Sequence, residues 1–158
     1  MQGAAVALEG VIIYMDTVKK DVRSRNMAAI GAKNTKPEIA VRSYLHRKGL
    51  RFSIHKASMP GKPDLYLRKY NTVIFIHGCF WHRHRRCDNS ILPKSRQGFW
   101  TPKLEGNALR DKKNIQTLRS MGFRTIVAWE CQVLDRRKRR ADERFLNNLF
   151  EKIISQVT

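Results

Sequence analysis

The segment from residue 77 to residue 103 constrains this chain most. Hydropathy periodicity fails along it, and His, Cys, Arg and aromatic residues replace the apolar repeat of a strand or helix. A loop this long with so little apolar content cannot order itself by burial alone. It carries Cys79, His84 and Cys87 close together, and Cys131 follows a later strand-like run. Three thiols and one imidazole make a tetrahedral Cys3His zinc set; four protein ligands leave no open position, so such an ion is structural. The competing reading is three small buried hydrophobes beside a solvated basic loop. A loop this polar buries two cysteines poorly, which favours the metal. His82 competes with His84 as ligand, and spacing alone does not choose between them.

The elements around this loop predict an α/β fold. Thr35-Lys36-Pro37-Glu38 is a capping box that opens a helix bearing Val41 and Leu45, and Gly49 closes it. A shorter helix is expected earlier, from Arg23 to Ile30. Three extended runs follow, Leu50 to Ile54, Pro63 to Leu67 and Thr72 to Ile76, with gaps short enough for an antiparallel meander. A helix from Ala108 to Met121, with Ile115, Leu118 and Met121 inward, leads to a buried strand from Arg124 to Glu130. That helical crossover predicts parallel pairing with a meander strand. The helix near Asp142 to Ile154 carries a clean apolar stripe. The order is αβββαβα around a mixed sheet. Residues 1–18, free of Lys and Arg, read as an N-terminal extension without fixed order, and residues 19–158 as one domain.

Charge narrows the partner. The 158 residues include 32 Lys plus Arg against 13 Asp plus Glu, a formal net charge of +19. An excess of this size needs a polyanion, with nucleic acid first and an anionic membrane surface second. No apolar run reaches the ~18 residues of a membrane span. An odd cysteine count without a secretory signal points to a reducing compartment. With 13 carboxylates, few are available for chemistry. Asp64 stands at the start of a strand after Pro60-Gly61-Lys62-Pro63, and the next strand ends in Ile76-His77. A carboxylate beside a polar group at paired strand ends suits a hard cation such as Mg2+. The plain alternative is a turn-associated Asp.

Taken together, Arg23-Ser24-Arg25-Asn26-Met27, Pro60 to Asp64, Val73 to His77, His77-Gly78-Cys79-Phe80-Trp81-His82 and Trp129-Glu130-Cys131 resemble, in order and spacing, the very short patch repair (Vsr) endonucleases. The resemblance runs from about Val22 to the last helix. It implies a restriction-endonuclease-like fold and a monomeric bacterial enzyme, cytoplasmic and nucleoid-associated. Such an enzyme nicks double-stranded DNA just 5′ of the thymine in a T:G mismatch, the lesion left by deamination of 5-methylcytosine. The resemblance further implies that Asp64 bridges two catalytic Mg2+ ions, with the Ile76 carbonyl as a second ligand. His77 and His82 act around the metal-bound waters and the scissile phosphate, and Glu38 orients His82. For Glu38 a simple capping role competes. The zinc ligands carry over as Cys79, His84, Cys87 and Cys131. Phe80 and Trp81 wedge into the base stack, with Met27 entering from the other groove; Trp100 and Asn107 contact DNA. A mismatch-repair protein is a further expected partner.

Two departures matter. Ile76 stands where the best-known members have Thr, which keeps a backbone carbonyl but removes a hydroxyl. One extra residue separates His84 from Cys87. The run Arg136 to Arg140 reads equally as a DNA-backbone contact or a solvated linker. Two other classes compete with a mismatch nicking enzyme: a non-catalytic zinc-containing nucleic-acid-binding module, and a restriction-type nuclease cutting intact duplex.

Overall fold

The computed structural model describes residues 33–135 and 140–155. Met27, the expected helix at 23–30, the extension at 1–18 and most of the 136–140 run lie outside the described residues. Within them, helix α1 (Lys36–Arg47) leads into strands β1 (Ser53–Ile54), β2 (Leu65–Leu67) and β3 (Thr72–His77). Helix α2 (Gln97–Ser120), strand β4 (Arg124–Trp129), a single turn α3 (Glu130–Val133) and helix α4 (Glu143–Ile154) complete the chain. The sheet order is β1-β2-β3-β4. The first two pairings are antiparallel, and β3 runs parallel to β4 from Thr72 opposite Arg124 to His77 opposite Trp129. Among the described residues no helix is long and apolar enough to cross a membrane.

The expected meander and crossover are both present. All six residues of β3 are buried, as a central strand covered on both faces requires. Its alternate side chains divide the core. Ile74 and Ile76 join Val41 and Leu45 of α1 and Leu146, Leu149 and Ile153 of α4. Val73 and Phe75 join Met59 and Leu118 on the opposite face, under α2. By the same alternation His77 turns toward α2, which decides its partners.

Three local expectations need correction. The α1 capping box is not made: Thr35 makes no side-chain cap bond, its hydroxyl instead donates to Glu38 Oε1 at 2.8 Å, and Glu38 Oε2 accepts from the Asn34 amide at 3.0 Å. The Glu38 carboxylate thus reaches one residue further back than a capping box requires. Helix α2 starts eleven residues before the expected Ala108. Gly98, Pro102 and Gly106 hid its first half, since each disfavours a helix interior. Trp100 and Leu104 anchor that half in the core. Met121, expected inward, is exposed because the helix ends at Ser120.

Candidate active site and metal centre

Asp64 stands one residue before β2, where antiparallel pairing carries the chain alongside the end of β3. Its Oδ2 accepts the Ile76 amide at 2.7 Å. The loop that delivers it is tight: Gly61 has φ +72°, and a Cβ there would lie 2.9 Å from the Asn114 side chain of α2. Glu38 and His55 complete a group of three side chains whose ligand atoms lie within 4.8 Å of one another. His55 Nδ1 is 3.8 Å from Asp64 Oδ1, and His55 Nε2 is 3.7 Å from Glu38 Oε2. Burial pushes the Asp64 pKa above the ordinary carboxylate value, and the Glu38 charge adds to that rise. The Ile76 amide, His55 and Arg42 oppose it.

The second group lies one residue beyond Ile76, on the α2 side. Turns through residues 78–84 fold the loop back, with the His82 amide donating to the Gly78 carbonyl. The His82 ring thereby stacks on His77, with centroids 3.9 Å apart and planes 5° from parallel. His82 Nδ1 meets Asp111 Oδ2 of α2 at 2.6 Å. These three line an open groove of about 470 Å³ with Ile115 and Trp129. Burial, then the neighbouring His82 charge, lowers the His77 pKa to about 4; Asp111 acts the other way. Burial pushes the Asp111 carboxyl up, but the His82 hydrogen bond and charge outweigh it, and the net pKa falls.

Asp111 corrects one expectation. The carboxylate that orients His82 is Asp111, whereas Glu38 bonds to Asn34, Thr35 and Arg42 and faces His55. Asp111 carried a readable signal. Leu104, Ala108, Asp111, Ile115 and Leu118 fall at helical spacing, so an acid sits in the apolar stripe. His55, which sequence reasoning also missed, carried no such signal.

The third group is Cys79, His84, Cys87 and Cys131, again with ligand atoms within 4.8 Å of one another. His84 Nδ1 is 3.5 Å from Cys79 Sγ and 3.4 Å from Cys131 Sγ. The edge of a tetrahedron with bonds of about 2.0–2.3 Å is about 3.3–3.8 Å, so this group can hold a metal ion. Cys131 comes from α3, directly after β4, so an ion there ties the long loop to the sheet. Burial raises the Cys79 and Cys131 thiol pKa values; a bound cation supplies the charge that would make them thiolates. The His84 ring stacks on Trp129 at 4.1 Å, and Trp129 in turn meets the edge of His77 at 5.3 Å.

The aromatic loop is braced from α2. Phe80 and Trp81 are half-buried. Their rings pack edge-on against Trp100 at centroid distances of 5.4 and 6.1 Å. Asn107 Nδ2 donates to the Trp81 carbonyl at 3.1 Å. Trp100 is only 6% exposed, so it has little surface for DNA and serves as a support. Phe80, Trp81 and the cation Lys103, over the Trp81 and Trp100 rings, form the outward part of this feature.

A strongly basic chain with clustered carboxylates, a paired histidine groove and a braced aromatic loop has the parts of a DNA endonuclease. Comparison with known proteins agrees. A family model described as DNA mismatch endonuclease Vsr matches residues 15–89. The chain is 42% identical over 120 residues to the type II nicking enzyme V.XorIIP of Xanthomonas oryzae pv. oryzae, covering 76% of this chain and 88% of that one. It is 46% identical over 111 residues to the type II nicking enzyme V.NmeAIP of Neisseria meningitidis, covering 70% and 79%. It is 41% identical over 123 residues to the DNA mismatch endonuclease Vsr of Escherichia coli, covering 78% of each. The chain belongs to the Vsr family of DNA mismatch endonucleases.

Proposed function

We propose that the protein nicks one strand of double-stranded DNA 5′ of the thymine in a T:G mismatch, initiating repair of deaminated 5-methylcytosine. The observation that carries this reading is the end of β3. There the Ile76 amide holds Asp64, and the next residue, His77, stacks on the Asp111-held His82. The relatives, named mismatch endonuclease and nicking enzymes, support the single-strand outcome. The fold is read as restriction-endonuclease-like.

In this reading Asp64 and the Ile76 carbonyl would hold Mg2+, with Glu38 close by; hard oxygen donors fit that ion. Bound there, it would supply positive charge to the scissile phosphate and a lower pKa for an attacking water. Asp111 fixes Nδ1 of His82, leaving Nε2 to face the scissile phosphate and give a proton to the leaving 3′ oxygen. His77, neutral through burial, stacks beside it without adding a second charge. Products carry a 3′-hydroxyl and a 5′-phosphate. Cys79, His84, Cys87 and Cys131 would hold a structural Zn2+, and Phe80 and Trp81 would enter the base stack, where a mismatch costs less to open. The enzyme acts as a monomer, and a mismatch-repair protein is the expected partner.

The test uses a labelled duplex with one T:G pair, with Mg2+ and then with EDTA. The expected result is a nick in the T strand only, lost with EDTA, and lost in Asp64→Ala while DNA binding persists. Binding without cleavage at any Mg2+ concentration would make the protein a non-catalytic binding module. Cutting of both strands of a fully paired control would make it a restriction-type nuclease.

A further inference from the structure

Two acidic side chains in one cluster need a cation, and in this chain one is built in. Glu38 is only 4% exposed, and an anion so far from water is costly unless paired. Arg42, one turn along α1, meets it. Its Nη2 donates to Glu38 Oε2 and lies 3.1 Å from His55 Nε2, while Nη1 donates to Asn34 Oδ1 at 2.7 Å. A guanidinium has only donors, so His55 Nε2 must accept, which leaves Nδ1–H directed toward Asp64 Oδ1. His55 also holds a left-handed backbone, φ +46°, and its amide donates to the Asp64 carbonyl at 3.2 Å. A non-glycine residue kept there by surrounding bonds is a costly arrangement typical of functional sites. The chain Asn34–Arg42–His55–Asp64 thus joins α1 to the strand-end carboxylate.

We propose that Arg42 is an internal counter-cation of the Glu38–His55–Asp64 cluster, holding it together without metal and weakening its affinity for divalent cations. The proposal rests on the reading of Asp64 as the metal-holding carboxylate. Arg42 acts through Glu38 and His55 and is a positioning residue. Its charge is permanent at any working pH, so it cannot be shed to make room for an incoming ion. The guanidinium on Glu38 and a divalent ion on Asp64 are drawn to the same carboxylate cluster, and their mutual repulsion weakens binding of the ion. A residue that merely braced metal ligands would act in the opposite direction, since its loss would loosen the metal.

The experiment measures Mn2+ binding by electron paramagnetic resonance on the full-length, zinc-loaded protein without DNA, freed of other divalent ions by chelating resin. The parent, Arg42→Gln, Arg42→Lys and Asp64→Asn are compared. Arg42→Gln is expected to bind Mn2+ at least about tenfold more tightly. Arg42→Lys keeps the charge and is expected to stay within about threefold of the parent. Asp64→Asn is expected to lose the site. Thermal melting supplies a second readout: Arg42→Gln should melt lower than the parent without Mn2+ and gain more from millimolar Mn2+. Unfolding of this variant that Mn2+ does not reverse overturns the proposal. So does Asp64-dependent binding that Arg42→Gln leaves unchanged or weakens, and in that case the metal reading stands. Binding indifferent to Asp64→Asn removes the metal reading and the proposal with it.

Discussion

His77 faces α2 from the end of the central strand, and burial beside His82 lowers its pKa to about 4. The unfolded chain has its histidines near 6.5. Between those values the unfolded state takes up a proton that the folded state refuses, so this group removes stability as pH falls from 6.5 toward 4. Above 6.5 it contributes no pH dependence. The slope from one such group is at most about 1.4 kcal/mol per pH unit. Urea unfolding of the metal-loaded protein from pH 4 to 7 should show it, and His77→Gln should flatten that part of the curve. Asp64 stood out only through the resemblance carried by Pro60 to Asp64 and its neighbours, since an Asp after such a turn is common on its own. Arg42 and His55 were not readable, because thirteen residues and a turn separate two side chains that only the fold brings to 3.1 Å.

At the scale of elements, local sequence signals succeeded where hydrophobic periodicity was clean. Helix α4 shows this. Its apolar stripe packs Leu146, Leu149 and Ile153 into the core, and Asp142 Oδ1 accepts the Phe145 amide at 3.0 Å as its N-cap. Asp142→Ala should therefore cost about 1 kcal/mol in chemical denaturation, with the position of the nicking site unchanged. Helix α2 shows the failure. Its part from Ala108 onward was legible, but Gly98, Pro102 and Gly106 masked its first half, although Trp100 and Leu104 are buried there. Residues that disfavour a helix interior outweigh a short apolar signal when the chain is read locally.

For the whole molecule, the +19 charge supplies affinity for phosphates and a steep salt dependence, without specificity. In the proposed reading, discrimination belongs to the braced pair Phe80 and Trp81, and its accuracy would depend on a metal ion held by Cys79, His84, Cys87 and Cys131, which would tie their loop to the sheet. Stripping the Cys79–His84–Cys87–Cys131 metal should lower the melting midpoint by several degrees. It should also change tryptophan fluorescence, because Trp129 stacks on His84. An unchanged midpoint after verified metal removal would deny the site its structural role.

The sequence by itself determined the mixed sheet and its crossover. These follow from hydrophobic period and turn chemistry, which are local properties of the chain, whereas the expected site residues came from the resemblance of its motifs. Only the tertiary structure decided which carboxylate serves which histidine. Alternation along β3 sends His77 to the α2 face while Asp64 stays at the strand end near α1, so Asp111 meets His82 and Glu38 meets Arg42 and His55. Such pairings depend on which side of the sheet each helix covers, a choice made by packing the whole core at once.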